Sequence, residues 1–402
     1  MTLLCVAGCG NVSGNVASTK TDDVSRPAER GSPVLALRAA CGGDGTPTTY
    51  GAPALRRQPY LQQVGATAAT IGWVTSDPAN AKVTITTPAG APVATVSAAV
   101  EDYALRTAGE NQVWSAMTPL EPGTTYCYQI GDATQPMTNR TGFKTAPASD
   151  SNEPVRFLAF GDSGGGGSDQ YALMEQMYTV PYDLIIHTGD VAYDSGTISQ
   201  YEDNVFGVYA DLFRNLPFFP ASGNHDYKTL QGAPFRDVFH LPGDSGEKWY
   251  SYDWGRVHFV ALDTEADYAT QAAWLDADLA ATLLPWKIIY LHKPPYSSGT
   301  HGSDTKLRSA LAPVLKRHGV QLVLAGHDHN YERIKPQDGT AYVVTGGGGI
   351  GTRSVGTSSF TALSEDVIHY VYVEVGVDEL VMHAIDATGR EFDSMVVPRV
   401  AE

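Results

Sequence analysis

The stretch "DLIIHTGDVAYD", residues 183–194, decides the fold class of this chain. Its apolar run predicts a buried strand. Gly189 and Asp190 follow where that strand ends, and Tyr193 comes three residues after the aspartate. A glycine at a strand end lets the backbone turn sharply and approach a neighbour closely. Since similar glycine-containing ends follow other strands, we expect the chemistry of the protein at strand ends.

Strands and helices alternate from residue 155 onward, which is the pattern of an α/β domain. Further buried strands are predicted at "VRFLAF", "FFPA", "VHFVALD", "WKIIYLH", "VQLVLAG" and "AYVVT". Helices are predicted at 168–179, 270–283 and 303–318, and a hairpin-like run closes the chain. We therefore expect an α/β domain, built as an α+β sandwich, over residues 155–402.

Polar residues follow five of these strands. They are Asp162, Asp190 with Tyr193, Asn224 with His225, His292, and His327 with His329. In open α/β sheets ligands bind beyond the carboxyl ends of the strands, so these side chains should converge. The two aspartates, the tyrosine, the asparagine and three of the histidines are too many donors for one ion, but they suit two ions if one carboxylate bridges. Two metals about 3.5–4 Å apart can hold a phosphoryl group and a hydroxide for in-line attack.

Five sequence blocks in this order resemble the purple acid phosphatases, which are calcineurin-like metallophosphoesterases. The blocks are GDxG at 161–164, GDxxY at 189–193, GNHD at 223–226, IxxH at 289–292 and GHxH at 326–329. "RQPYLQQV", "WYSYDWGRVHFVALDTE" and "GHDHNYER" extend the resemblance over residues 55–400. It implies an acid phosphatase that hydrolyses phosphate monoesters, with a metal-bound hydroxide attacking phosphorus. A phosphodiesterase on the same two metals is the alternative.

The resemblance also implies which donors serve which ion. One set is Asp162, Asp190, Tyr193 and His329, and the other is Asp190, Asn224, His292 and His327. A free tyrosine has a pKa near 10, so a phenolate near neutral pH needs a strongly acidic ion such as Fe(III). The second ion is zinc, iron or manganese. His225 and His301 match histidines that contact the phosphate or protonate the leaving group, but Gly302 replaces a second histidine found in plant members.

An all-β domain of the fibronectin type III kind is predicted over residues 55–148, before the catalytic domain. Short alternating strands separated by turns indicate a β-sandwich. "LEPGTTYCY" resembles a tyrosine corner, in which the hydroxyl of Tyr126 would bond to upstream backbone. Residues 145–154 have the composition of a linker.

Composition limits the partners of the protein. The chain has 402 residues and a formal net charge of −17, which argues against a nucleic acid or an anionic membrane. A small phosphorylated substrate stays compatible, because bound metal ions reverse the local charge. The four cysteines form no CxxC pair, so a thiolate zinc site is not expected. Cys41 and Cys127 are the two that could pair if the others are lost by processing.

Residues 1–54 are interpreted as a truncated signal followed by a disordered arm. Val6 to Cys9 resemble a lipobox, which makes Cys9 a candidate lipid anchor, although no basic segment precedes it and the apolar run is short. Either the start was placed late or the match is chance. On the first interpretation the protein is bacterial and exported, as a periplasmic, cell-surface or secreted protein. From residue 10 the arm is rich in Gly, Ser, Thr, Asp and Pro.

Other patterns compete with the metal site. "GDSGG" at 161–165 fits a serine-hydrolase motif around Ser163, but that enzyme class would leave the metal-type residues unexplained. "GGGGIG" at 346–351 fits a dinucleotide motif but precedes a poor helix. A non-catalytic scaffold is a further alternative. The remaining histidines are expected in the surface or core: His240, His258, His318, His369 and His383.

Overall fold

A computed structural model describes residues 31–48, 55–101, 110–243 and 246–399. The first lobe contains one helix and eight strands. They are α1 (Pro33–Cys41), β1 (Leu55–Gln62), β2 (Ala69–Thr75), β3 (Lys82–Thr86), β4 (Pro92–Ser97), β5 (Ala99–Glu101), β6 (Asn111–Met117), β7 (Thr125–Gly131) and β8 (Thr141–Lys144).

These eight strands form a sandwich of two antiparallel sheets, in the orders β1-β2-β6-β5 and β4-β3-β7-β8. This is the strand arrangement of immunoglobulin-like sandwiches. The predicted tyrosine corner is confirmed, since the Glu121 N–H donates to the Tyr126 hydroxyl over 2.9 Å. Strand β6 was not predicted. It is almost wholly buried between β2 and β5, so Gln112 and Ser115 sit inside and break the alternation.

Helix α1 corrects the prediction of a disordered arm, because it lies inside residues 10–54. The Ser32 side chain accepts from the Leu35 N–H, and Gly42 ends the helix in a left-handed conformation with φ 67°. Cys41 forms a disulfide with Cys127 on β7. This bond and packing against the sandwich supply order that composition does not reveal. The lipobox and Cys9 lie outside the described residues.

Among its described residues, the second lobe contains thirteen strands. They are β9 (Val155–Phe160), β10 (Leu184–His187), β11 (Phe218–Pro220), β12 (Tyr250–Trp254), β13 (Val257–Ala261), β14 (Trp286–Leu291), β15 (Leu322–Ala325), β16 (Tyr331–Gln337), β17 (Thr340–Thr345), β18 (Thr361–Glu365), β19 (His369–Val375), β20 (Glu379–Asp386) and β21 (Glu391–Pro398). Its helices are α2 (Ser168–Gln176), α3 (Ile198–Gln200), α4 (Gly207–Phe213), α5 (Ala233–Val238), α6 (Tyr268–Ala281) and α7 (Thr305–His318).

Two mixed sheets pack face to face in this lobe, in the orders β11-β10-β9-β19-β20-β21 and β12-β13-β14-β15-β17-β16-β18. Strand β14 shows why its sequence is apolar from Ile288 to Leu291. Ile288 and Tyr290 belong to the core between the sheets, whereas Ile289 and Leu291 belong to the cluster under helices α6 and α7. A strand covered on both faces needs no polar side. The expected α/β class of this lobe is confirmed.

The two lobes are joined by a buried polar cluster. Arg57 on β1 is paired with Glu202, with 2.5 Å between Nη2 and Oε1. Its Nη1 lies 2.8 Å from both the Tyr60 hydroxyl and Gln112 Oε1. The Tyr60 hydroxyl donates in turn to the Val238 carbonyl over 2.6 Å. Among the described residues, none of the helices combines the length and apolar character needed to cross a membrane.

Candidate metal centre

The structure brings all the predicted donor residues together at one edge of the second lobe. They follow the carboxyl ends of strands β9, β10, β11, β14 and β15. Asp162, Asp190 and His292 are fully buried, with at most 1 % of each residue exposed. The expectation that five strand ends converge therefore holds in the geometry.

Tyr193 is the centre of the first donor group. Its hydroxyl lies 2.9 Å from Asp162 Oδ1 and 2.9 Å from Asp190 Oδ2. It also lies 3.3 Å from His329 Nε2, which is 3.5 Å from Asp162 Oδ1. These four side chains are the set that the resemblance assigned to one ion.

His292 is the centre of the second donor group. Its Nε2 lies 3.1 Å from Asn224 Oδ1, 3.1 Å from His327 Nδ1 and 3.3 Å from Asp190 Oδ2. Asp190 Oδ2 therefore faces both groups. One ligand atom each from Asp190, His292 and His327 fit within 4.8 Å of one another, as a shared metal ion would require.

Three of these donor residues have unusual backbone angles. Asp162, Asp190 and His327 have positive φ angles of 59°, 53° and 70°. Such angles are uncommon outside glycine and concentrate at functional sites. Two neighbouring glycines are needed for the close approach. A Cβ on Gly189 would lie 2.7 Å from His292, and one on Gly223 would lie 2.2 Å from Asp190 Oδ1.

Asp226 positions two of the strand-end loops and was missed by the sequence analysis. Its carboxylate accepts from the backbone N–H groups of Val191 and Gly223, at 3.1 and 2.8 Å, and from the Tyr201 hydroxyl at 2.6 Å. It thus ties the Asp190 loop to the Asn224 loop. Asp226 is the last residue of the GNHD block, and the sequence analysis gave it no role.

Asp328 does the same on the other side of the cluster and was also missed. Its carboxylate accepts from Ser297 Oγ at 2.5 Å and from the backbone N–H groups of His301 and Gly302, at 2.8 and 3.2 Å. This ties the loop that carries His301 to the segment between His327 and His329. Asp328 lies inside the quoted GHxH block at its variable position.

The charges of the cluster fit metal ions. Burial raises the pKa of Asp162 to about 8, with the nearby Asp190 carboxylate adding to the effect. Burial lowers the pKa of His327 to about 2 and that of His329 to about 3, so both imidazoles are neutral with lone pairs free to coordinate. Among the described residues neither Asp162 nor Asp190 has a lysine or arginine partner. Cations supplied from outside would neutralise them.

The other ring nitrogen of His292, Nδ1, is hydrogen-bonded within the protein. Its Nδ1–H donates to the Thr188 carbonyl over 3.0 Å, which turns Nε2 toward Asn224 and Asp190. A hydrogen bond of this kind, away from the ion, fixes the tautomer and orientation of metal-ligating histidines.

The two histidines expected to contact substrate lie on either side of the donor cluster. His225 Nε2 is 3.9 Å from Asp190 Oδ2, while its Nδ1 is 2.7 Å from the Asp194 carbonyl. The ring of His301 stacks on that of His327, with 4.1 Å between centroids. Both rings therefore lie next to members of the donor cluster.

Ser163 lacks the surroundings of a serine nucleophile. Its hydroxyl is buried and lies 2.9 Å from His187 Nε2. His187 Nδ1 accepts from the Gly189 N–H over 3.2 Å, so the imidazole proton sits on Nε2 and points at the serine oxygen. Burial also lowers the pKa of His187 to about 3. The histidine donates to Ser163 instead of taking its proton, which is opposite to the direction that activates serine.

The dinucleotide-type motif lacks the helix that it would require, and the remaining histidines have contacts of their own. Residues 346–360 form no helix after "GGGGIG". The histidines assigned to surface or core have partners of their own. His240 packs on Trp114, His258 is bonded by Asp253 and Asp278, His318 by Asp276, and His369 by Thr345 and the Val367 carbonyl. His383 Nδ1 lies 3.1 Å from Glu391 Oε1.

Family models match both lobes of the chain. Residues 155–331 match the model of the calcineurin-like phosphoesterases, and residues 57–145 match that of the purple acid phosphatase N-terminal domain. The resemblance drawn from the five sequence blocks is thus confirmed, as is the order of an all-β domain before an α/β domain.

Curated relatives and a solved structure agree with this assignment. Purple acid phosphatase 21 of Arabidopsis thaliana is 30% identical over 58% of this chain and 56% of its own length. "Probable inactive purple acid phosphatase 1" of the same plant is 27% identical over 65% of this chain and 51% of its own. The chain thus spans about half the length of these relatives. A purple acid phosphatase from yellow lupin (Lupinus luteus) seeds shares the fold with a TM-score of 0.75 at 22% identity, covering 85% of this chain and 74% of that one.

Proposed function

We propose, from the premise that the chain joins a calcineurin-like phosphoesterase domain to a purple acid phosphatase N-terminal domain, that it is a binuclear metal hydrolase of phosphate monoesters. The observation that carries this proposal is the pair of donor groups that share Asp190. One group gathers around the Tyr193 hydroxyl and the other around His292 Nε2. A non-catalytic scaffold would not need a full set of donor side chains in both groups.

The donor types suggest which ion each group would hold. Tyr193, Asp162, Asp190 and His329 would hold Fe(III), because phenolate and carboxylate oxygens suit a hard, strongly acidic ion. Asp190, Asn224, His292 and His327 would hold zinc, iron or manganese. When bound, two such ions polarise a phosphoryl group and lower the pKa of water toward neutrality.

The remaining contribution comes from the residues around the cluster. His225 presents Nε2 toward it, and the Asp194 carbonyl fixes the opposite face of the ring. It is therefore placed to bond an oxygen of the phosphoryl group. His301, held by the Asp328 carboxylate through its backbone N–H, is placed on the opposite side, where the leaving group would depart.

Export from the cytoplasm is part of the proposal. The Cys41–Cys127 disulfide supports it, since such bonds persist mainly in oxidising compartments. We further propose lipidation of Cys9. In bacteria, a version extended upstream should partition with membranes, and its Cys9→Ser variant should not. A soluble, unprocessed product from both versions would contradict the lipid anchor but would leave the proposed hydrolase function unaffected.

Metal analysis with a visible spectrum tests the proposed function directly. Protein prepared with iron and zinc should contain close to two metal ions per chain, absorb in the visible, and hydrolyse p-nitrophenyl phosphate faster than bis-p-nitrophenyl phosphate. Tyr193→Phe should lose the colour and keep the fold, whereas the matched buried control Tyr128→Phe should stay coloured. Activity retained with well under one metal per chain would refute the proposal. Faster turnover of the diester would make the protein a phosphodiesterase.

A further inference from the structure

The glycine-rich segment at residues 346–351 lies against the metal centre. The Gly348 N–H donates to the Gly161 carbonyl over 2.9 Å, and the Ile350 N–H donates to the Asp162 carbonyl over 3.1 Å. At Gly346 a Cβ would lie 2.3 Å from the Asp328 carbonyl oxygen and 2.8 Å from Asp162 Oδ2. Only glycine permits this contact, so the segment is a strap fitted to the donor-bearing loops.

The strap is followed by Arg353, which lies at the edge of the donor cluster. The Arg353 backbone N–H donates to the His329 carbonyl over 2.8 Å. Its Nη1 donates to His301 Nε2, whose ring stacks on His327. The guanidinium is therefore one side chain away from the second donor group, and the Arg353 backbone contacts His329 of the first.

Arg353 differs from the other cations near the cluster. Lys228 Nζ is 3.2 Å from an Asp194 carboxylate oxygen, and Lys293 Nζ is 2.6 Å from Glu265 Oε1. Within the described ranges no carboxylate lies within 4.0 Å of the Arg353 guanidinium, which donates a hydrogen bond to the neutral His301 imidazole. In a chain with net charge −17, an arginine without a carboxylate partner beside a metal centre points to an anion from outside.

We propose that Arg353 binds the phosphoryl group of the substrate and selects monoesters over diesters, an inference that rests on the proposed function. A monoester has three non-bridging oxygens and a diester has two. If two of these oxygens were held by the metal ions that the donor cluster would bind, a monoester would leave a third, charged oxygen for the guanidinium, whereas the corresponding oxygen of a diester is esterified. Guanidinium bonds to phosphate are charge-assisted and directional, so this contact discriminates.

Binding of inorganic phosphate tests the proposal without relying on turnover. Calorimetry on metal-loaded protein should show about 10- to 100-fold weaker phosphate binding for Arg353→Gln than for wild type. Arg353→Lys should recover part of the affinity. Arg317→Gln, on the exposed face of α7, is the matched control and should bind as wild type. The ratio of kcat/KM for p-nitrophenyl phosphate to that for bis-p-nitrophenyl phosphate should fall in Arg353→Gln.

Each outcome separates this inference from the proposed function. Phosphate binding that depends on Arg353 in a protein without hydrolytic activity would support the inference and refute the function. Equal phosphate affinity in wild type and Arg353→Gln, or no binding in either, would overturn the inference. So would a variant that loses its metal ions, because Arg353 would then be a support for the His329 loop.

Discussion

The molecule contains two buried clusters of charged side chains that are built in opposite ways. Between the lobes, Arg57 and Glu202 are 1 % and 3 % exposed, and the guanidinium also lies within hydrogen-bond distance of Tyr60 and Gln112. At the strand ends, Asp162 and Asp190 are equally buried, but their neighbours are a phenol, an amide and imidazoles. The first pair includes a permanent cation, the Arg57 guanidinium, whereas among the described residues neither Asp162 nor Asp190 has a lysine or arginine partner.

This difference separates a structural cluster from a binding site. A buried ion pair with satisfied hydrogen bonds is neutral as it stands. In the strand-end cluster, burial holds the pKa of Asp162 at about 8. His292 takes up the opposing charge, since the Asp190 carboxylate outweighs burial and raises the pKa of His292 to about 9. Metal ions would displace both protons, so binding should release protons and weaken as the pH falls.

Removal of the Asp190 carboxylate, which both donor groups share, should have the largest effect on metal content and activity. In Asp190→Asn both donor groups lose a charged member, and we expect metal content to fall well below two ions per chain. Activity on p-nitrophenyl phosphate should drop by at least about 10³-fold, because the metals supply several kcal/mol of transition-state stabilisation. Elemental analysis and steady-state kinetics measure the two effects. A fully metallated, active variant would exclude a bridging role.

Removing one partner of the interdomain pair should instead reduce stability. Glu202→Gln leaves the Arg57 charge buried, which should cost about 3–4 kcal/mol in the free energy of unfolding. The double variant Arg57→Met/Glu202→Leu removes both charges and should cost clearly less. Denaturant unfolding of the three proteins at equal metal content tests this. Equal losses in the single and double variants would show that packing, and not charge pairing, governs this cluster.

Most of the fold and the donor set could be predicted from the sequence because both depend on local patterns. The apolar run of residues 288–291 indicates a strand covered on both faces, and parallel strands place their carboxyl ends at one edge. That rule alone gathers Asp162, Asp190 and His292. The five blocks then indicate how the donors divide.

Features that depend on distant contacts could not be predicted. Helix α1 is held by the Cys41–Cys127 bond, which composition does not show. Asp226 and Asp328 act by collecting backbone N–H groups from other loops, and spacing does not encode which groups meet. Arg353 reaches the cluster only because the strap before it packs on Gly161 and Asp162.

A third charged cluster sharpens the comparison through its pH dependence. His258 is bonded to Asp253 at 2.7 Å and Asp278 at 2.8 Å, and these bonds outweigh burial to raise its pKa to about 9. Since the unfolded value is about 6.5, the stabilisation is complete below that pH and is lost as the pH rises through 9. His258→Gln should therefore cost roughly 2 kcal/mol near pH 6 and much less near pH 10, because exposure of Asp253 weakens the pair.

Unfolding of wild type and His258→Gln at both pH values measures this difference. Arg317→Gln, which alters an exposed ion pair with Asp276, is the control and should show a small change at either pH. A penalty for His258→Gln that grows with pH would mean that the neutral imidazole is the stabilising form, and that this cluster does not carry its own cation.

The smallest effect is expected at Ser163, whose hydroxyl forms a neutral pair with His187 beside the donor cluster. Because His187 donates to the serine oxygen, Ser163→Ala removes one acceptor and leaves one buried N–H without a partner. That should cost about 1 kcal/mol in the free energy of unfolding. Metal content should stay at the wild-type value, and kcat/KM should change by less than about threefold, since a hydroxyl that accepts its bond from a neutral imidazole is not activated for attack. Unfolding, elemental analysis and kinetics on one preparation measure all three. A fully metallated Ser163→Ala protein without activity would mean that the serine performs the chemistry and that the charged cluster beside it only supports the fold.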